Sequence, residues 1–247
     1  MTFFSFRLWW LEWDKVRRTR SFWWVVGMLW LFGLLPIVMS YNRQATPIIG
    51  LPAGLAQSVT SGILFTGVLL GGVMGAMLSD LDAEGNTRLL LFTSGYSRLS
   101  ILAVKLAFGA FLTIGVLGGQ LILDATVAEA NALFAFHRTM PITWPSWSLM
   151  VSITCLVLGF LWIGFAGRIT SHSLLIGAGI PVAILFGERY LAPDHVFLAW
   201  LPNFALSNAL FTFPLRWPSL GTWIPLLIWI IVALTLTTRT WLADVDA

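Results

Sequence analysis

The chain has 247 residues, of which 58% are hydrophobic and 10% are charged, with a formal net charge of +3. An ordinary soluble domain has roughly 25% charged residues, and here the mean hydropathy is +0.86. This composition excludes a soluble globular protein and predicts an all-α integral membrane protein.

Six runs without Asp, Glu, Lys or Arg, each of at least eighteen residues, organise the sequence. A helix needs about 20 apolar residues to cross a bilayer, so each run predicts one transmembrane helix. Because no run holds a carboxylate, the sequence predicts no ion-coupled pump in the membrane and an energy supply from a partner. The six predicted spans, in a single domain covering residues 1–247, are 22–40, 57–78, 99–123, 149–167, 169–187 and 220–238.

The segment before the first span predicts an amphipathic helix that lies on the inner membrane surface. Glu12 is spaced to pair with Lys15, and Asp14 is spaced to pair with Arg17 and Arg18. A basic segment that only sets the topology is the alternative. The apolar side of this helix carries Phe6, Trp9, Trp10, Trp13 and Val16, and the residues expected at the interface are Trp10, Trp13, Arg17 and Arg18.

The basic residues set the predicted orientation. With the N-terminus in the cytoplasm, ten of the Lys and Arg residues fall on the inner side and four on the outer side, as membrane insertion favours. An even number of spans then places both termini in the cytoplasm. Membrane lipids are therefore expected partners, and nucleic acid is not. The single Cys155 lies within a span, so the sequence predicts no internal disulfide.

Two features predict how the spans pack. Gly67, Gly71 and Gly75 form a doubled small-xxx-small pattern in the second span, and we expect it to pack within the chain rather than between subunits. Spans four and five are separated only by a tight inner turn around Arg168–His172, so they should form an antiparallel hairpin. Pro181 removes a backbone donor inside the fifth span, and a kink is expected there.

The third span begins near two basic residues and is expected to end at an acid. Arg98 and Lys105 are seven residues apart, which makes them able to snorkel to the same headgroup layer. Asp124 is expected to mark the outer end of this span.

Residues 195–215 form a seventh charge-free stretch of 21 residues. Pro202, Asn203, Asn208 and Pro214 interrupt it, and a seventh span would turn the C-terminus outward. We therefore predict short re-entrant helices in the outer leaflet between spans five and six.

The inner loop between spans two and three carries the most distinctive sequence. Acids near its start favour a helix N-terminus, residues 87–93 could form two turns, and Ser94-Gly95 supplies a stop. A short helix held between two spans can carry force from a soluble partner into the membrane. A solvated loop stabilised by local charge pairs is the alternative.

This loop contains an acid-Gly-x-x-basic-Leu-Leu pattern, which stands here as residues 84–90, followed by Thr93 to Arg98 and then Lys105. Together with the N-terminal helix and the broken helices before the last span, it resembles the type-2 ABC exporter permeases. These are six-span subunits that pair with a separate ATPase. Many relatives have Pro before the Ser-Arg pair, where this chain has Gly95-Tyr96.

The resemblance implies a coupling helix beneath the membrane, a dimer with a second, identical or related permease, and ABC ATPase subunits that bind ATP and Mg. The residues that it places against the ATPase are Asp82, Glu84, Gly85, Thr87, Arg88 and Leu90. The chain has no GxxxxGK[ST] motif, so we expect a non-catalytic subunit that binds no cofactor itself. The expected location is a prokaryotic cytoplasmic membrane.

The uncharged, aromatic-rich spans suggest an amphipathic or hydrophobic cargo, such as a peptide, lipid or drug. The polar residues that are candidates to line its path are Thr60, Ser61, Thr66 and Gln120, although each could instead satisfy neighbouring backbone.

Three other functions stay open at this point. An intramembrane enzyme would need a base, and His172 next to Ser171 is the only histidine near a span. Metal or haem handling would use His137 and His195, which are not closely spaced. A channel or scaffold is the third, although no charged ring position lies inside a predicted span.

Overall fold

A computed structural model describes residues 6–43, 66–81, 95–136, 147–190 and 220–243. Within these ranges the chain forms seven helices and no strand, which confirms the predicted all-α fold. The helices are α1 (Phe6–Arg18), α2 (Arg20–Arg43), α3 (Thr66–Leu81), α4 (Arg98–Phe136), α5 (Trp147–Ser171), α6 (Leu174–Tyr190) and α7 (Leu220–Ala243). The predicted coupling helix, the re-entrant segment, Thr60 and Ser61 lie outside the described residues.

Three helices are long and apolar enough to cross a membrane: Arg98–Val127 of α4, Met150–Ser171 of α5 and Trp223–Ala243 of α7. The apolar stretches of the other long helices are shorter, at Arg20–Leu35, Thr66–Leu81 and Leu174–Ile184. In the described part of the chain, helix length and hydropathy therefore support three candidate spans, not six. They support a membrane protein with transmembrane helices.

Helix α5 packs closely against α3 through glycines. A side chain at Gly71 or Gly75 would overlap backbone carbonyls of α5, and one at Gly164 would overlap the carbonyl of Gly72. Only glycine lets the two backbones approach this closely, as in membrane helix pairs generally. The prediction that the glycine pattern packs within the chain is confirmed.

The predicted hairpin is also present. Helix α5 ends at Ser171 and α6 begins at Leu174, and His172 turns the chain with a φ of 54°. The two helices are in close contact near this turn. A Cβ added to Gly177 of α6 would lie only 2.8 Å from the backbone nitrogen of Arg168 in α5. Helix α6 continues through its internal proline to Tyr190.

Helix α1 docks onto the bundle along one line of residues. Leu8, Glu12 and Val16 are buried and recur every four residues, so they lie on one helix face. Phe6 and Trp10 are 81% and 57% exposed. The predicted apolar side is therefore divided, with Val16 against the bundle and these two aromatic residues facing away.

The charge pairs expected within α1 form as their spacing predicts. Lys15 Nζ lies 2.8 Å from Glu12 Oε1. Arg17 and Arg18 lie 3.6 and 2.8 Å from the Asp14 carboxylate. Residues three or four apart on a helix are neighbours, so these pairs are local.

Helix α4 overturns two expectations about the third span. It has 39 residues and runs through Asp124 to Phe136, so Asp124 does not mark the helix end. Asp124 is fully buried, inside the candidate span Arg98–Val127. Lys105 does not snorkel outward, because its side chain is only 1% exposed and bonds within the protein. Each charged group has a polar partner that offsets part of its desolvation cost.

Candidate functional site

The first candidate site is the end of the bundle that the sequence predicts to face the cytoplasm. It consists of α1, the ends of α3, α5 and α7, and the start of α4. Three polar links join these helices. They pair Glu12 with Lys105, Asp80 with Arg168, and Arg98 with the end of α7. We call these three links the inner clamps.

The first inner clamp is a buried ion pair between α1 and α4. Lys105 Nζ lies 3.0 Å from Glu12 Oε2, and their side chains are 1% and 5% exposed. Lys105 also donates to the Leu78 carbonyl at 3.3 Å, which brings α3 into the same link. Lys15 pairs with the other Glu12 oxygen. A buried pair needs such additional bonds to offset its desolvation.

The second inner clamp joins α3 to the α5–α6 hairpin. Arg168 Nε donates to Asp80 Oδ1 at 2.6 Å, and a terminal nitrogen of Arg168 pairs with the same oxygen. The Arg168 side chain is 9% exposed and that of Asp80 is 16% exposed. Arg168, which the sequence analysis placed in the turn between spans four and five, therefore has a tertiary partner in Asp80.

The third inner clamp joins the start of α4 to the end of α7. Trp241 is 2% exposed, and its Nε1 donates to the Arg98 carbonyl at 3.2 Å. Arg98 in turn donates from a guanidinium nitrogen to the Leu242 carbonyl at 3.4 Å. The last helix is thereby fixed beside the residues that follow the inner loop.

The inner clamps hold both ends of the inner loop predicted from the sequence. Asp80 fixes the α3 side, and Arg98 fixes the α4 side. Gly95 has a φ of 80°, and the Ser97 hydroxyl accepts the Ser100 amide at 3.2 Å in the first turn of α4. The Ser97 hydroxyl therefore caps the start of α4.

The loop residues themselves are outside the described part of the chain. These are the candidate ATPase contacts Asp82, Glu84, Gly85, Thr87, Arg88 and Leu90. The candidate interfacial residues are described: Trp10 is exposed, Trp13 is half-buried, and Arg17 and Arg18 are exposed and paired with Asp14.

A buried polar cluster between α2, α3 and α4 is the second candidate site. Gln120 Nε2 donates to Asp124 Oδ1 at 2.5 Å and approaches the Trp30 carbonyl at 3.5 Å. Thr66 and Gln120 both lie beside Gly33, where an added Cβ would be 3.2 Å from Thr66 Oγ1 and would overlap the Gln120 amide. The structure thus brings together two of the four predicted path residues.

Several polar atoms of this cluster lack partners. Asp124 Oδ2, Gln120 Oε1 and Trp30 Nε1 are buried and form no hydrogen bond in the described part of the chain. Thr66, Gln120 and Trp30 line a crevice that has no room for a water molecule. Sequence reasoning missed Asp124 because it treated the first acid after an apolar run as the end of the span.

Ser171 and His172, the pair considered for an intramembrane enzyme, have structural roles in the α5–α6 turn. The Ser171 hydroxyl donates to the Gly167 carbonyl at 2.5 Å and accepts the Ser173 amide at 3.3 Å, so it caps the turn. His172 supplies the left-handed residue of that turn. Among the described residues, no group of three His, Cys, Asp or Glu side chains could hold a metal ion. His137 and His195 lie outside those residues.

Comparison with known proteins does not assign a family. No protein-family model matches this chain. A search of curated proteins also finds no match. The resemblance to type-2 ABC exporter permeases stays a prediction from the sequence.

Proposed function

We propose that this chain is the transmembrane permease subunit of an ATP-driven ABC exporter in a prokaryotic cytoplasmic membrane. In this proposal the three shorter apolar helices, α2, α3 and α6, cross the membrane together with the three candidate spans, and both termini lie in the cytoplasm. It pairs with a second permease, and separate subunits bind ATP and Mg. The observation that carries the proposal is that both ends of the inner loop are held by the inner clamps.

Transmission of force needs an input element with firm connections to the spans. A push on the inner loop would reach α3 through its direct continuation and α5 through Asp80 and Arg168. It would reach α4 directly and α7 through Arg98. Four helices would therefore respond to one displacement. A solvated loop with no coupling role does not require such connections at both ends.

Helix α1 supports the same proposal as a brace. Its buried Glu12 connects it to Lys105, seven residues into α4 from Arg98, and Lys105 bonds the α3 carbonyl of Leu78. The brace is thus attached to both helices that flank the loop. An N-terminal segment that served only as a topology signal would have no reason to bury an acid in the bundle.

Charge reversal in the loop tests the proposal. Glu84→Lys should abolish co-purification of a soluble ATPase and ATP-dependent transport, because it places a cation where the resemblance implies an acidic contact. Membrane insertion should be normal. Asp246→Lys is the matched control, since it reverses an acid in the C-terminal tail, predicted on the same side, outside the loop.

Two outcomes would contradict the proposal. One is full transport by the purified chain without any nucleotide-hydrolysing subunit. The other is unchanged ATPase association in Glu84→Lys.

A further inference from the structure

We propose that Asp124 and Gln120 form an intramembrane site for the cationic group of an amphipathic cargo. This inference rests on the proposed export function and specifies its cargo class: an apolar body that carries an ammonium or a similar organic cation.

The first argument is the unsatisfied acceptor capacity of the pair. Asp124 is 0% exposed and receives one hydrogen bond, from Gln120 Nε2 to its Oδ1. Its Oδ2 and the Gln120 Oε1 have no partner among the described residues. The two residues are four apart on α4, so both acceptors lie on one helix face.

The second argument is the energy of such a group. A buried acceptor without a partner costs about 1–3 kcal/mol, and an unpaired charge costs more. Among the side chains that the structure describes, no Lys or Arg pairs with Asp124. The two ion pairs at the inner end, in contrast, have their cations in place, as for Glu12 and Lys105. The cationic group of a bound molecule would form the corresponding ion pair with Asp124.

The surroundings favour an amphipathic cation over a small hydrated ion. The crevice beside Gln120 is lined mainly by apolar and aromatic side chains, which match an alkyl or aryl body. A cation also interacts favourably with the face of an indole such as that of Trp30. The lining residues are Leu29, Trp30, Thr66, Gly67, Leu70, Leu117 and Gln120.

Access to the site requires α2 to separate from α4. The crevice is closed in this structure, because Gly33 of α2 lies directly on Gln120 and Trp30 packs against Gly119. The opposite side of α2 is apolar and exposed, with Trp24 70% and Leu31 61% accessible. A cargo dissolved in the bilayer would therefore reach the site by displacing α2.

Binding by the purified chain alone tests this inference. The probes are three diphenylhexatriene derivatives with one apolar body and a trimethylammonium, a carboxylate or no substituent, titrated into lipid nanodiscs with empty nanodiscs as the blank. We expect the cationic probe to bind about tenfold or more tighter than the neutral one, as a charge-assisted contact supplies. Asp124→Asn should remove this preference. Asp14→Asn, at a partly exposed acid of α1, should keep it.

A second measurement uses the unaltered chain and does not depend on variant folding. Dicyclohexylcarbodiimide modifies carboxyl groups within membranes, and mass spectrometry locates the product. We expect labelling of Asp124 that the cationic probe slows and the anionic probe does not. Equal affinity for the three probes, or labelling of Asp124 that is absent or not slowed, would overturn the inference.

The two proposals fail separately in these experiments. Loss of the cation preference with normal ATPase association would remove only the cargo assignment. Selective cation binding by a chain that associates with no ATPase would contradict only the proposed ATP-driven energy supply.

Discussion

The buried pair of Glu12 and Lys105 gives the sharpest prediction about stability. Lys105→Met retains much of the side-chain volume but leaves Glu12 buried beside α4 with only Lys15 as its cation. Removing one partner of a buried pair costs about 3–5 kcal/mol. Because Lys15 remains 2.8 Å from Glu12, we expect a value near the lower end, about 3 kcal/mol.

The double variant Glu12→Leu, Lys105→Met should recover most of this loss. Replacing both members of a buried pair by apolar residues is often nearly neutral, so we expect a stability within about 1 kcal/mol of the unaltered protein. The single variants are therefore strongly non-additive. Arg18→Met is the control, since its pair with Asp14 is exposed and contributes about 0.2–1 kcal/mol.

Two assays check this prediction. Reversible unfolding in mixed detergent, followed by tryptophan fluorescence, gives the free energies. Trypsin cleavage reports docking of α1, because Arg17, Arg18 and Arg20 are exposed around the junction at Thr19. Lys105→Met should accelerate cleavage there, and the double variant should restore protection. Additive single effects, or an equally protected junction in Lys105→Met, would refute the reasoning.

Two further predictions concern a close helix contact and the backbone of a turn. Gly164→Ala should destabilise the fold by several kcal/mol in the same unfolding assay, because its methyl group would overlap the Gly72 carbonyl. Gly118→Ala, where the space is open, should instead be neutral or stabilise the protein by up to about 1 kcal/mol. Equal changes in the free energy of unfolding for the two glycine variants would contradict this packing. His172→Gly should be about 1 kcal/mol more stable than His172→Ala, since φ is 54° at this position, and the reverse order would contradict it.

Local features of this fold could be predicted from the sequence. Glu12 pairs with Lys15 because helical spacing alone brings their side chains together. The α5–α6 hairpin follows from two apolar runs with almost no chain between them. The glycine pattern at Gly67, Gly71 and Gly75 indicated a close helix contact, and the structure supplies α5 as its partner.

Contacts distant in sequence could not be predicted in this way. Nothing local indicates that Glu12 bonds Lys105, 93 residues away, or that Arg168 bonds Asp80, 88 residues away. A rule that ends a span at the first charge assumes that the charge faces water. Asp124 is an exception to this rule. It is buried within α4, where the side-chain amide of Gln120 donates a hydrogen bond to it. The burial of a charged residue depends on its tertiary partners, which the linear sequence does not display.

The link between α1 and α4 also constrains biosynthesis. Glu12 leaves the ribosome 93 residues before Lys105. During that interval Glu12 has only the local Lys15 as its cation, because Lys105 has not yet been made. Completion of α4 then decides whether the nascent protein closes correctly. A chain that inserts α4 in the wrong register leaves Glu12 without Lys105.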